Sequence, residues 1–298
     1  MNSDLITIQE AYTAMYSTSQ LLTEKVHQEI QDVMDDATIS SKNKLTSITK
    51  KAKQLIKAGT DTGLESDKPK LGSSRAVFFP KDHKEIAVDG QRTKTPTAVK
   101  IAFPGKLDRY HGEDTTLGED QNALESDHHI NRHYGILHEH SPDQYRSSSH
   151  ESGGVLAPVF STHPEHHHLE MGRVEPATAA GIKDATKHKN FPKGLTHADI
   201  YDAMNHEHAS AHGQRTYSNS SDEHLEKVKE HPWVEHAISL MHDSDMHPGD
   251  LNKRNLGIYT HPVTGKKHLA IIDYGFSNEI AKKYTKARTN SLKSMRGA

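Results

Sequence analysis

The chain has 298 residues, a formal net charge of -3 and no cysteine, which excludes disulfides and thiolate metal sites and argues against a nucleic-acid binder driven by overall charge. A hydrophobic fraction of 33% and a mean hydropathy of -0.82 describe a polar, soluble chain, part of it loop or weakly packed. No apolar run approaches the ~20 residues needed to span a membrane. The opening MNSDL lacks a signal peptide's basic region and apolar core, so a cytoplasmic location is expected.

Leu22, Val26, Ile30 and Val33 recur at helical spacing and predict an amphipathic helix. Leu45, Ile48, Ala52, Leu55 and Ile56 predict a second, shorter one that ends at Gly59. Two helices of this size cannot form a large core alone, so they are expected to pack on the next domain, on a partner or on a second copy. Residues 60–70 read as a polar linker. LGSSRAVFF at 71–79 reads as a turn into an edge strand, and TAVKI at 97–101 alternates like a strand. GEDQNALE at 118–125 precedes a helical stretch to about residue 136, and residues 155–160 and 167–171 read as two further strands.

Histidine is abundant, with 25 residues and clusters at 127–129, 138–140 and 163–168. None shows the two-histidine helix motif with an intervening glutamate, so a polar surface that charges as pH falls through ~6.5 explains them better than a Zn²⁺ site. Further on, Thr196 can cap a helix over 198–205, and 206–219 reads as loop. Ser220, Ser221 and Asp222 can cap a helix over 223–241 that carries Leu225, Val228, Trp233, Ala237, Ile238 and Met241. Pro232 is expected to kink or split it. The tail is basic, with Lys282, Lys283, Lys286, Arg288, Lys293 and Arg296 and no acid after Glu279.

The densest chemistry lies in DLNKRN, from Asp250 to Asn255. A short apolar run follows at 256–259, then a turn with Pro262 and Gly265, then a second run at 268–272 that ends in Asp273. This hairpin sets Asn255 just before one strand and Asp273 at the end of its partner. Both oxygen-bearing groups then share one end of a ribbon, which suits a hard cation such as Mg²⁺. A lone Asp or Asn is usually a turn residue or a helix cap. Their order and spacing here outline a phosphoryl-transfer site. Asp250 would orient and deprotonate a hydroxyl, and Asn255 and Asp273 would hold Mg²⁺ against nucleotide phosphates.

These motifs resemble the catalytic and metal loops of the protein-kinase-like superfamily, whose pattern is Asp, four residues, Asn, then Asp-Phe-Gly. Here Tyr274 takes the Phe slot, and Pro248 stands where the family has His, with His247 one residue earlier. A second alignment sets DMHPGD, from Asp245 to Asp250, on the Asp-Leu-His-Pro-Gly-Asn loop of small-molecule kinases; it would make Asp245 the base and Asp250 the metal ligand. Upstream, TAVKI is similar to the family's Val-Ala-Ile-Lys, so the resemblance implies that Lys100 binds the α/β-phosphates. It further implies that Glu125, or Glu119, is the helix αC partner of Lys100. Gly72, Ser73, Ser74 and Arg75 would cover the phosphates, and Glu170 and Met171 would form the hinge that pairs with adenine through its backbone.

The fold so implied is α+β: a two-lobed kinase-like fold with a small, truncated C-terminal lobe and an N-terminal helical extension. Its boundaries would be 1–66 for the extension, 67–171 for the N-lobe and 172–298 for the C-lobe with its basic tail. The function implied is an ATP- and Mg²⁺-dependent phosphotransferase, similar to small bacterial and phage serine/threonine kinase-like proteins, with a protein substrate and no membrane partner. A phage enzyme would act in the host cytoplasm. A small-molecule or nucleotidyl-transferring kinase-like enzyme and an inactive pseudokinase remain open beside it. After Gly275 only 23 residues follow (298 less 275), too few for the family's activation segment and later helices, so nucleotide binding is better supported than any substrate.

Overall fold

The computed structural model describes residues 28–36, 38–39, 41–66, 68–71, 75–102, 127–163, 168–213 and 220–274. Within them the protein is α+β, with three sheets of five, four and three strands.

The N-terminal helices α1 (Gln28–Asp35) and α2 (Ser41–Lys57) pack as an antiparallel pair of unequal length. Ile30, Met34, Ile48, Ala52 and Leu55 are buried between them and the sheet below, as their helical spacing requires. Ile56, read with this stripe, instead lies outside it and is 51% exposed. Gly59 stops α2 with a positive φ of 74°. Its N–H bonds to the Ile56 carbonyl and the Thr60 N–H bonds back to Leu55, closing the last turn. Lys44 is buried, and its Nζ donates to the Met34 carbonyl at 2.6 Å, satisfying a carbonyl at the end of α1.

The five-stranded sheet is antiparallel throughout, in the order β1 (Lys70–Leu71), β2 (Arg75–Phe78), β5 (Thr97–Ala102), β9 (His168–Gly172), β8 (Val159–His163). Period-2 alternation divides β5 cleanly. Val99 and Ile101 join Ala76 and Phe78 under the N-terminal helices. Ala98 joins a second core with Leu169, Met171 and Phe160. Lys100 is in register with Leu169 and Val77 and so belongs to that second face.

A four-stranded sheet covers this second core. Its order is β4 (Gln91–Thr95), β3 (Lys84–Val88), β7 (Gln144–Ser147), β6 (Leu137–Ser141), with β3 and β7 parallel. The β3–β4 turn is Asp89-Gly90, both at positive φ (50° and 81°), the two-residue loop whose twist suits a hairpin. The sheets are tied by Lys84, whose buried ammonium lies 3.3 Å from Glu170 and 3.7 Å from Asp143.

The downstream half is mainly helical: α4 (Ala179–Ala185), α5 (His197–Ala211), α6 (Asp222–Lys229) and α7 (Pro232–Asp243), preceded in chain order by α3 (His128–Tyr134). Thr196 caps α5 as expected, in a capping box with Asp199. The helix then runs six residues past 205, through a stretch that reads as polar loop. Ser221 caps α6, and Pro232 splits the predicted long helix by starting α7 at its N1 position. Trp233, Leu240, Ile200 and Met204 form the largest core with Leu256, Ile258, Leu269 and Ile271 of the hairpin β11 (Leu256–Thr260) and β12 (Lys267–Ile271). Ile130, Tyr134, Val155 and Leu156, upstream in sequence, belong to the same core. The short β10 (Glu175–Pro176) completes the hairpin's sheet on the β11 side. Among the described residues no helix is long and apolar enough to cross a membrane.

Candidate active site

The hairpin sets the geometry. β11 and β12 pair from Leu256↔Ile271 to Thr260↔Lys267, around a turn whose Gly265 has φ 68°. The ladder continues one step beyond the strands, where the Ile272 N–H donates to the Asn255 carbonyl at 2.9 Å. Asn255 is therefore opposite Ile272, and Asp273 follows at the same end of the ribbon, as the motif spacing predicts. On the other side, the segment 155–157 clamps Ile271. The Ile271 N–H donates to Val155 at 2.7 Å, and the Ala157 N–H donates to Ile271 at 3.0 Å. Only the later part of the apolar run at 155–160 becomes strand; its start serves as this clamp.

Lys100 meets the hairpin at the same point. It is 5% exposed, and its Nζ donates to the backbone carbonyl of Ile272, the residue before Asp273. Two motifs 172 residues apart thus share one peptide unit. The Ile272 carbonyl as a partner for Lys100 has no signature in the sequence, because any residue supplies the same group.

Asp273 is half-buried, and its Oδ1 is closed off from solvent with no hydrogen-bond partner among the described residues. A buried carboxylate oxygen without a donor is costly unless something positive completes it. Such an oxygen is a hard donor of the kind Mg²⁺ takes, with waters and phosphates completing its shell, and Asn255, at the same end of the ribbon, would be the second protein donor.

The loop before the hairpin is built locally. A 3-10 turn, Pro248–Asp250, is capped by His247. Leu251 is fully buried and anchors it. The Asn255 N–H then closes back on the Asn252 carbonyl at 2.9 Å. Asp245, the base of the competing alignment, is exposed with φ 52°. The Met246 N–H bonds back to Met241 at 3.1 Å, so Asp245 is the left-handed residue that terminates α7.

Glu170 and Met171 differ from the expected hinge. Both lie inside β9 and are laddered to β5 on one side and β8 on the other, Glu170 against Val99 and Ser161, and Met171 against Ala98 and Val159. Their backbone serves the sheet, and the Glu170 carboxylate serves Lys84. The chain leaves the sheet only after Gly172, where the Tyr259 ring packs so closely that a Cβ would lie 2.7 Å from it. Gly72, Ser73, Ser74, Glu119 and Glu125 lie outside the described residues. Of Arg75 and Asp250 the structure describes the backbone, in β2 and in the 3-10 turn. The helix that follows Glu125 is α3, capped by Asp127 and ending at Tyr134. Among the described residues no cluster of three or more His, Asp or Glu could hold a metal ion.

Compared with protein-family models and with curated proteins, the chain matches none.

Proposed function

We propose that the chain is an ATP- and Mg²⁺-dependent phosphotransferase of two-lobed, protein-kinase-like fold, acting on protein serine or threonine hydroxyls. The observation that carries this reading is the bond from Lys100 to the carbonyl of Ile272, the residue before Asp273, while Asn255 is laddered to that same Ile272. In chain order β5 is the third strand of its sheet, and the kinase lysine is likewise on the third strand. The strand-rich upstream half and the helical downstream half fit the two expected lobes.

The roles follow from position. Lys100 offers a fixed cation to the α/β-phosphates. Asn255 and Asp273 would hold Mg²⁺, which would supply positive charge to offset the negative charge that develops on the transferring phosphoryl group. Asp250, five residues before Asn255, would orient the acceptor hydroxyl and take its proton. Phosphoryl transfer depends mainly on such positioning and charge stabilisation, so the protein needs little covalent chemistry of its own. That Asp245 already serves as the stop of α7 favours Asp250 as the base.

Incubating the protein with lysate proteins, Mg²⁺ and ATP labelled at either the γ or the α position tests the reading. Label should reach protein from the γ position only. Transfer from the α position would make the chain a nucleotidyl transferase, and transfer from neither would leave a binding protein.

A further inference from the structure

Two imidazoles bracket Asp250 through the backbone of its neighbours. His247 Nδ1 accepts from the Gly249 N–H at 3.0 Å. His197, the first residue of α5, has its Nε2 2.9 Å from the Leu251 carbonyl. An amide N–H can only donate, so His247 carries a lone pair on Nδ1 and its ring is neutral. A carbonyl can only accept, so His197 carries its proton on Nε2. Neither donor is free to wander. The His197 ring lies nearly parallel to Tyr201, at 5.9 Å between centroids and 17°, and Leu251 is fully buried. Gly249 fits closely as well: a Cβ there would lie 2.9 Å from His247 Nδ1.

We infer that His197 and His247 are positioning residues that hold Gly249 and Leu251, the residues on either side of Asp250, and that His247 makes this grip sensitive to protons. The inference rests on Asp250 being the base of the reaction proposed above. The two bonds restrain the residues before and after Asp250, and so restrain the backbone at Asp250 itself. A shift of ~1 Å in such a group can cost ~100-fold in rate.

The two imidazoles respond differently to acid. Protonated His197 still donates from Nε2, so its bond survives. Protonated His247 presents an N–H to the Gly249 N–H, and that bond is lost. The groups acting on His247 are His208 of α5 and His212, which caps that helix, with ring contacts of 5.1 Å (His247–His208) and 4.3 Å (His208–His212), and Asp245 beyond the end of α7. Burial lowers the His247 pKa from its ordinary value, the two histidines lower it further, and Asp245 opposes them. The grip therefore holds at neutral pH and opens below the usual histidine range.

The test combines ATP turnover against pH with NMR of the His247 ring and the Gly249 amide, in the full chain. His247→Asn supplies an acceptor that does not titrate and should keep most of the turnover while losing the acid limb of the wild type. His247→Leu should lower kcat about tenfold or more at neutral pH, with the gap to the wild type closing in acid, and His197→Ala should lower it similarly with an unchanged KM for ATP, which His197→Gln should largely restore. The same acid limb in wild type and His247→Asn, or full kcat in His197→Ala, would overturn the grip. If the wild type turns over no ATP, the functional reading fails, and NMR alone decides the grip. The Gly249 amide must then shift in step with the His247 titration, and an amide indifferent to it rejects the proposal.

Discussion

The two faces of β5 do opposite work. On one, Val99 and Ile101 are sealed beneath α1 and α2 in an apolar cluster. On the other, one residue away, Lys100 spends a buried ammonium on a backbone carbonyl beside Asp273. Burying an apolar side chain stabilises by about 1.5–3 kcal/mol, whereas burying a charge costs free energy unless good partners compensate it. Strand alternation thus puts a sealed apolar face and a buried cation back to back, roughly 3.8 Å apart from one Cα to the next. Substitutions on one face should change folding, and those on the other should change turnover.

The sharpest way to break this division is at Asp273. Asp273→Asn keeps the shape of the side chain but removes the charge, and should reduce Mg²⁺-dependent turnover by roughly 100-fold or more with little change in urea midpoint. Turnover near wild type would remove Asp273 from the metal site. The opposite face gives the reciprocal result. Ile101→Ala should cost about 2–5 kcal/mol in urea unfolding, through lost burial and the cavity left behind, while turnover per folded molecule stays within about twofold. A stability loss below about 1 kcal/mol would mean that the N-terminal helices do not seal the sheet.

A third, smaller effect comes from the histidines behind the hairpin. His236 donates from Nε2 to the His133 carbonyl at 3.2 Å and receives the Ser152 hydroxyl on Nδ1 at 2.9 Å. His268 packs against Gly153 on the same loop. Burial, first among the causes, pushes both down to about 4, and neighbouring His150 (for His236) and Lys266 (for His268) add to it. The unfolded chain, with histidines near 6.5, then binds protons that the folded chain refuses. Stability should be full above pH ~6.5 and fall as pH drops toward 4, by about 3 kcal/mol per histidine at most. Urea midpoints at several pH values check this, and His236→Gln should flatten the slope. The smallest effect is expected at Asp245. Asp245→Gly suits the left-handed helix stop and should change stability by less than about 1 kcal/mol without loss of turnover. A large loss of turnover would revive Asp245 as the base.

The parts of the fold carried by local signals are legible in the sequence. The β11–β12 hairpin follows from two apolar runs around Gly265, and the α5 cap from Thr196 with Asp199. Lys100 on a strand follows from TAVKI. Other parts depend on partners far along the chain. The four-stranded sheet is hard to read because QRTKT in β4 is polar and β3 pairs in parallel with β7, Ala87 against Gln144; Asp89-Gly90 and Pro142-Asp143 are the turn signals that point to it. The end of α5 reads as loop because its histidines are polar, yet half-buried helix tolerates them. Glu170 and Met171 read as a hinge by position alone, and the extra strand pairing through Gly172 uses up that backbone. At the candidate site, the residue types are legible, whereas the meeting of Lys100 with Ile272 is a tertiary contact that no window reveals.

Titration calorimetry of Mg·ATP into Lys100→Ala, beside Ile101→Ala and wild type, puts the two faces of β5 to the most direct comparison. Wild type and Ile101→Ala should bind alike while folded, and Lys100→Ala should bind at least about tenfold more weakly, a loss of about 1.4 kcal/mol or more. Equal affinity for Lys100→Ala and wild type would contradict a nucleotide-phosphate site on that face.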